Sequence, residues 1–311
     1  MAGPPPVAGD SGVKGEIGFL LHPGEQHAVQ GAEARARELG YGVWVEVREP
    51  EATLAEHAAD TRLLVTIGGD GTFLYGARLA APHGIPVMGV NRGRLGFLTD
   101  VEVAELPTAL EAFAAGNCHT QRRSMLEATV PGDGDAAPWQ TLALNEVAVK
   151  SSGVAVARIR VEMDGELLGD FDADGVVIAT ATGSTAYALS AGGPPIDPRV
   201  RAIVVVPLAP HAVISRAIVL PEMVTLRVTV ERGRVIVAAD GISEIRLRDG
   251  AEMIIRPGPE LAFVRFDSSP SFLRRLREKV RFGLPLKELE RPALLRPDGT
   301  EEGPAAAEAR R

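Results

Sequence analysis

The run Ile67-Gly68-Gly69-Asp70-Gly71-Thr72-Phe73-Leu74 sets three glycines and one carboxylate between an apolar strand-like stretch, Leu63 to Ile67, and residues with helical spacing, Thr72 to Leu79. Glycines let a backbone close on an anionic group, and the helix N-terminus behind them offers unpaired N–H donors, so a phosphate fits such a turn. A phosphate repels a neighbouring carboxylate. Asp70 therefore binds a metal, accepts a hydroxyl proton, or merely caps the helix. Neither the Walker A run nor a strict GxGxxG occurs in the chain, so phosphate binding here follows another pattern.

Four further segments carry polar groups in suggestive company. Gly89-Val90-Asn91-Arg92-Gly93-Arg94-Leu95-Gly96-Phe97-Leu98 follows the next apolar strand and so opens at the same sheet edge; its arginines read individually as solvated. Asn145-Glu146 lies within an apolar strand from Leu142 to Val149, where adjacent side chains face opposite ways, so one of the two polar groups must point into protein, ligand or partner. Asp174-Gly175 reads as a β-turn. Beyond it, Val176 to Tyr187 gathers Thr180, Thr182, Ser184 and Thr185 with Gly183 at a strand-to-helix turn, more hydroxyls than a helix cap needs and suited to a phosphate, a ribose or an amino group. The six histidines show no metal-ligand spacing, which argues against a protein-bound zinc.

The elements that must position these groups fall into two regimes. From Glu16 to about Ala115, strands and helices alternate: strands at Ile17–Leu21, Val43–Val47, Leu63–Ile67 and Pro86–Val90, with helices at Glu25–Leu39, Glu51–Ala59, Gly71–Ala81 and Leu106–Ala115. That rhythm predicts right-handed crossovers and a doubly wound, Rossmann-like parallel sheet. After Thr120, strand follows strand, at Ser124–Val130, Thr141–Val149, Val156–Met163, Gly175–Thr180, Ala202–Val206, Thr225–Val230, Val235–Ala239 and Glu252–Ile255. Turn pairs such as Asp164-Gly165, Arg232-Gly233, Asp240-Gly241 and Asp249-Gly250 separate them, so the second domain reads as all-β. A short helical run, Thr185 to Ser190, interrupts it. The organisation expected is thus a disordered N-terminus (1–15), an α/β domain carrying the glycine turn (16–120), a β-rich domain (121–265), a basic helical segment returning to the first domain (266–290) and a flexible tail (291–311).

Composition narrows the function. At 311 residues, 45% hydrophobic and 24% charged, the chain can form two cores, and its net charge of −8 lacks the basic footprint of a nucleic-acid or anionic-membrane binder. A single cysteine, Cys118, suits a reducing compartment. No apolar run approaches the roughly 18 residues of a membrane span, and Met1 to Gly15 has no apolar core of the signal-peptide kind. A cytoplasmic location is expected.

Taken together, Gly68-Gly69-Asp70-Gly71-Thr72, Asn91 with Gly93 to Leu98, Asn145-Glu146, Asp174-Gly175, Thr182-Gly183-Ser184-Thr185-Ala186-Tyr187 with Leu189 to Pro194, and Pro210-His211 resemble the bacterial NAD kinases. The glycine turn alone is shared with lipid kinases of the diacylglycerol type and with phosphofructokinases. The Thr182–Tyr187 and Leu189–Pro194 runs are far more specific. The resemblance implies transfer of the terminal phosphoryl group of ATP, or of another nucleoside triphosphate or polyphosphate, to the 2′-hydroxyl of the adenosine ribose of NAD, giving NADP, with Mg²⁺ carried on the donor phosphates. It implies Asp70 as general base, and Gly68, Gly69, Gly71 and Thr72 around the phosphoryl donor. Contacts to NAD fall to Asp70, Gly71, Asn145, Glu146, Asp174, Thr185, Ala186, Tyr187 and Ser190. Homo-oligomers, dimers or tetramers, are also implied. Tyr75, Asp172, Ala181 and Ile242 depart from the family's commoner residues, which bears on secondary contacts. A lipid kinase sharing the turn and a non-catalytic dinucleotide sensor are the competing readings.

Overall fold

The computed structural model describes residues 14–47, 50–92, 96–132, 137–212 and 216–283. The N-terminal segment to residue 13, Gly93-Arg94-Leu95, Asp133-Gly134 and the tail from 291 lie outside these. The first domain runs β1 (Glu16–Leu21), α1 (Gln26–Glu38), β2 (Gly42–Glu46), α2 (Pro50–His57), β3 (Thr61–Ile67), α3 (Asp70–Ala80), β4 (Val87–Asn91), β5 (Val101–Glu102), α4 (Leu106–Ala114) and β6 (His119–Arg123). The β-rich part follows with β7 (Leu126–Val130), β8 (Trp139–Ala143), β9 (Glu146–Ser151), β10 (Ala157–Met163), β11 (Glu166–Ala173), β12 (Gly175–Thr180), α5 (Tyr187–Ser190), β13 (Ala202–Leu208), β14 (Ile218–Pro221), β15 (Leu226–Arg232), β16 (Arg234–Ala239), β17 (Ser243–Arg248) and β18 (Glu252–Pro257). The strand β19 (Leu261–Arg265) then returns to the sheet of the first domain.

The first sheet has the order β2-β1-β3-β4-β19-β6, with β5 beside β4. Its pairs are parallel except β19 with β6. Alternation along β3 decides the layers: Leu63, Val65 and Ile67 pack with Val29, Ala32 and Ala36 of α1 and Leu106 and Leu110 of α4, while Leu64 joins Leu54 of α2 and Phe73, Leu74 and Ala77 of α3 on the other face. Helices thus cover both faces of a doubly wound sheet. The C-terminal ends of β1, β3 and β4 are tied together, His22 N–H donating to the Ile67 carbonyl (2.9 Å) and Gly68 N–H to that of Val90 (3.0 Å), so their loops open at one edge.

The remaining strands form two six-stranded antiparallel sheets, β11-β10-β15-β18-β7-β8 and β14-β13-β12-β9-β16-β17. Residues such as Ala128, Val161, Val228 and Met253 of one meet Val149, Ile178, Val205 and Val237 of the other in a single core, a β-sandwich. The expected strand Thr141–Val149 is corrected here: it is two strands, β8 in one sheet and β9 in the other, broken at Leu144-Asn145. Strands β5, β6, β11, β14, β17 and β19, absent from the sequence expectations, complete the three sheets. Among the described residues no helix is long and apolar enough to cross a membrane.

From Pro270 the chain forms a separate compact unit. Its helix α6 (Phe272–Val280) is capped by Ser271, whose hydroxyl accepts the Arg274 N–H (3.2 Å), and ends at Arg281 in the left-handed conformation.

Candidate active site

The glycine turn is built for close approach. A side chain on Gly68 would place its Cβ 2.3 Å from Thr72 Oγ1, so only glycine lets the strand end pack on the first turn of α3. A Cβ on Gly69 or Gly71 would meet nothing within 4 Å, so these two positions face open space where a ligand can reach the backbone. Gly69 is the N-cap of α3, and no side chain caps the helix. The capping alternative for Asp70 is thereby overturned, because its carboxylate turns away from the helix: Oδ2 accepts the Phe97 N–H at 3.0 Å and Oδ1 the Leu98 N–H at 3.1 Å. Charge-assisted bonds of this kind fix a carboxylate in orientation while leaving it lone pairs for a substrate proton. The loop closes over it tightly. A Cβ on Gly96 would stand 2.1 Å from Asp70 Oδ1, and Gly96 N–H donates to Thr99 Oγ1 at 3.1 Å. Arg92 at the same edge is not simply solvated, since it pairs with Glu25 at 2.7 Å.

The second half of the site is assembled where the chain leaves β8 for β9. Thr180 N–H donates to the Asn145 carbonyl (2.8 Å), and Thr180 Oγ1 donates to the Leu144 carbonyl (2.6 Å) while accepting the Gly183 N–H (3.0 Å). Gly183 packs directly on this kink: a Cβ there would lie 2.0 Å from the Asn145 oxygen. Ser184, fully buried, donates to the Ala181 carbonyl (2.7 Å) and accepts the Ile196 N–H (2.8 Å), and Thr185 Oγ1 donates to the Thr182 carbonyl (3.2 Å). Most of the hydroxyls that the sequence offered to a nucleotide therefore hold the loop in shape instead. Thr185 and Ala186 remain partly exposed, and Tyr187 and Ser190 are exposed, with the Lys150 ammonium 5.9 Å from the Tyr187 ring centre. Leu98, which carries an amide of the Asp70 anchor, packs in one core with Phe73 and Leu144, so the two halves share an apolar floor.

Glu146 ties the halves of the loop, accepting the Tyr187 backbone N–H, while its Oε2 is buried without a partner. Burial, and then the nearby charge of Asp240, push its carboxyl up to about 7. Asp240 is raised to about 6, also by burial, but it accepts the Leu144, Asn145 and Glu146 N–H groups, which favour its ionised form. Of the pair, Asp240 has the three amide donors that favour an ionised carboxylate, and Glu146 is raised by burial beside it.

Asp174 lies at the opposite end of β12 from Thr180. Its backbone pairs with Leu208 and Ser151 at the start of β12, about 20 Å of strand away from Thr180, where the loop begins. Asp172 is engaged by Arg158 (2.6 Å) and Arg232 (3.2 Å), with the Arg158 hydrogen bond holding its carboxyl below the usual range. Tyr75 donates to Glu51, and burial pushes its phenol up to about 12. Ile242 packs against the Phe73–Leu144 core and Ala181 is buried, so both departures are apolar fillings. Asp240 and the Phe97 and Leu98 amides were missed: nothing distinguishes Asp240-Gly241 from other hairpin pairs, and backbone donors leave no mark in a sequence.

A doubly wound domain offering a glycine turn with an anchored carboxylate, set beside a kinked β-sandwich loop, defines a nucleotide-dependent phosphotransferase. Family models described as the ATP-NAD kinase N-terminal domain and C-terminal domain match residues 17–118 and 144–265. This chain belongs to the NAD kinase family. It is 37% identical over 280 residues to an NAD kinase of Heliobacterium modesticaldum, covering 86% of this chain and 99% of that one. An NAD kinase of Gemmatimonas aurantiaca is also 37% identical, over 78% of this chain and 84% of its own. Among solved structures, an Archaeoglobus fulgidus NAD kinase in complex with ATP superposes with a TM-score of 0.67 at 27% identity, covering 85% of this chain and 98% of that one. A yeast NADH kinase complexed with NADH shares the fold, with a TM-score of 0.78 at 24% identity over 89% and 90% of the two chains.

Proposed function

We propose that this NAD kinase transfers the terminal phosphoryl group of ATP to the 2′-hydroxyl of the adenosine ribose of NAD, with Asp70 as the general base. The observation that carries the role is the pair of amide bonds from Phe97 and Leu98, which hold a partly exposed carboxylate at the glycine turn. In the reaction the 2′-oxygen bonds to the terminal phosphorus, the bond to the bridging oxygen breaks to release ADP, and the hydroxyl proton passes to Asp70. Gly68, Gly69, Gly71 and Thr72 line the donor side. Asn145, Glu146, Asp174, Thr185, Ala186, Tyr187 and Ser190, with Asp70 and Gly71, receive the dinucleotide.

In the same reading Mg²⁺ would arrive on the triphosphate, held by its phosphate oxygens and water. When bound it neutralises charge on the phosphates. Self-association into dimers or tetramers belongs to the same reading. It is supported by exposed Ile218 and Val219 on the edge strand β14, and light scattering of the purified protein tests it.

The decisive assay incubates purified protein with Mg²⁺, NAD or NADH, and a panel of ATP, other nucleoside triphosphates and polyphosphate, with products identified by mass. NADP from ATP and NAD is expected, and its absence overturns the reading. Asp70→Asn should lower kcat by about 10²–10⁴-fold with NAD binding retained. Near-normal turnover of that variant would remove Asp70 from the chemistry.

A further inference from the structure

Asp240 opens the turn between β16 and β17. Ile242 N–H donates to the Ala239 carbonyl (2.9 Å), and Asp240 and Gly241 have φ of 50° and 67°, left-handed backbone of a tight hairpin turn. Asparagine serves that turn as well as aspartate. The side chain does something the turn does not require. Its Oδ2 accepts the Leu144 N–H at 2.7 Å, its Oδ1 accepts those of Asn145 (2.8 Å) and Glu146 (3.0 Å), and its own N–H donates to the Glu146 carbonyl at 3.0 Å. Successive amides of a strand point to opposite sides, so three consecutive ones can converge on a single carboxylate only where the strand is broken. Asp240 sits at the break between β8 and β9.

We propose that Asp240 is a positioning residue for the acceptor nucleotide: by gathering three consecutive amides it fixes the kink that presents Asn145 and the Glu146 carboxyl to NAD. The proposal rests on the reading above that Asn145 and Glu146 contact the dinucleotide. The groups facing Glu146 are Asp240 across the kink and the Tyr187 N–H at the start of α5, with Lys150 of β9 over the Tyr187 ring and the Arg78 charge of α3 reaching Asp240. A neutral Glu146 is a poorer acceptor for ribose hydroxyls than an ionised one, so NAD binding weakens as pH falls through the range in which Glu146 gains its proton. Removing the negative charge of Asp240 lets Glu146 ionise at lower pH.

Asp240→Asn keeps the turn but sets an NH₂ donor against one of the three amides. Its KM for NAD should rise about tenfold, the loss of one charge-assisted bond, with KM for ATP and kcat at saturating NAD within about twofold of wild type. The acid limb of kcat/KM for NAD should move to lower pH. Asp240→Glu, which keeps the charge and displaces it by one methylene, should raise KM while leaving the limb in place, and it serves if Asp240→Asn does not fold. A variant with reduced melting temperature but an unshifted limb and unchanged KM for NAD would make Asp240 merely structural and overturn the proposal. So would an equal loss in kcat and both KM values. Glu146→Gln separates the two readings: an unchanged KM for NAD in that variant would refute the assignment of Glu146 to the dinucleotide, whatever Asp240→Asn does.

Discussion

Replacing Gly96 by alanine tests whether turnover depends on how Asp70 is held rather than on its presence alone. The outcome rests on what the added methyl meets at the Asp70 carboxylate and the Thr99 hydroxyl. The added Cβ would stand 2.1 Å from Asp70 Oδ1 and 2.5 Å from Thr99 Oγ1, about 1 Å closer than carbon and oxygen tolerate. Relief requires the carboxylate to move by a comparable distance, away from the Phe97 and Leu98 amides that it accepts at 3.0 and 3.1 Å. A displacement of that size at a reacting group costs about 10²-fold in rate, or roughly 2.7 kcal/mol of activation free energy. The expected result is therefore a kcat near 1% of wild type in an NADP-forming assay, with KM for NAD changed by less than about threefold, because Asn145 and Glu146 are untouched. Overpacking itself destabilises by about 1–3 kcal/mol, so melting curves must accompany the kinetics. A folded Gly96→Ala variant with kcat within about threefold of wild type would refute the claim that the loop orients Asp70.

Gly69→Ala probes the donor side: its φ of −97° admits alanine and its Cβ meets no protein atom, so the fold should persist while KM for ATP rises about tenfold and KM for NAD stays put. Unchanged KM for ATP would show that the open face of the turn is not where phosphates approach. Glu146→Gln should change stability with pH. The folded protein keeps the Glu146 proton up to about pH 7, whereas the unfolded chain releases it near 4.5, so the carboxyl favours the fold below that lower value and loses its contribution as pH rises through about 7. The variant should match wild type near pH 4 and exceed it by about 1–3 kcal/mol near pH 8, a few degrees in Tm; equal melting temperatures at both pH values would count against a buried, protonated Glu146.

The first domain was legible because its central strands β1, β3 and β4 are buried and separated by helices, so the period changes where the structure does. The expected strand Leu63–Ile67 is found at Thr61–Ile67, and the helix Gly71–Ala81 at Asp70–Ala80. The β-rich part yielded less. Strand β17 reads Ser-Glu-Ile-Arg-Leu-Arg, and β11 carries Glu166 and Asp170; both are edge strands, whose outer faces give little apolar signal. The break at Leu144-Asn145 was hidden because Leu142, Leu144, Val147 and Val149 read as one apolar run, while its cause, Asp240, lies 96 residues beyond Leu144. Similarly, β19 joins the first sheet by pairing with β4 and β6, a partnership no local pattern encodes.

For the site, residue type proved a weaker guide than the destination of each polar group. Asp70-Gly71, Asp164-Gly165, Asp240-Gly241 and Asp249-Gly250 look alike in the sequence, and in each the aspartate accepts backbone N–H groups from a distant segment. Asp164 takes the single amide of Thr225 and Asp249 that of Gly233, enough to fasten one loop to another. Asp240 takes three and is buried close enough to the Glu146 carboxyl to raise it, a place suited to holding a backbone rather than to meeting a ligand. Asp70 takes two and stays partly exposed beside glycines that face open space, the one combination of the four that leaves acceptor capacity where a ribose hydroxyl can arrive. On the proposed assignment, the same physical device, a carboxylate gathering amides, separates into structural, positioning and chemical roles according to how many donors it meets and what lies on its open side.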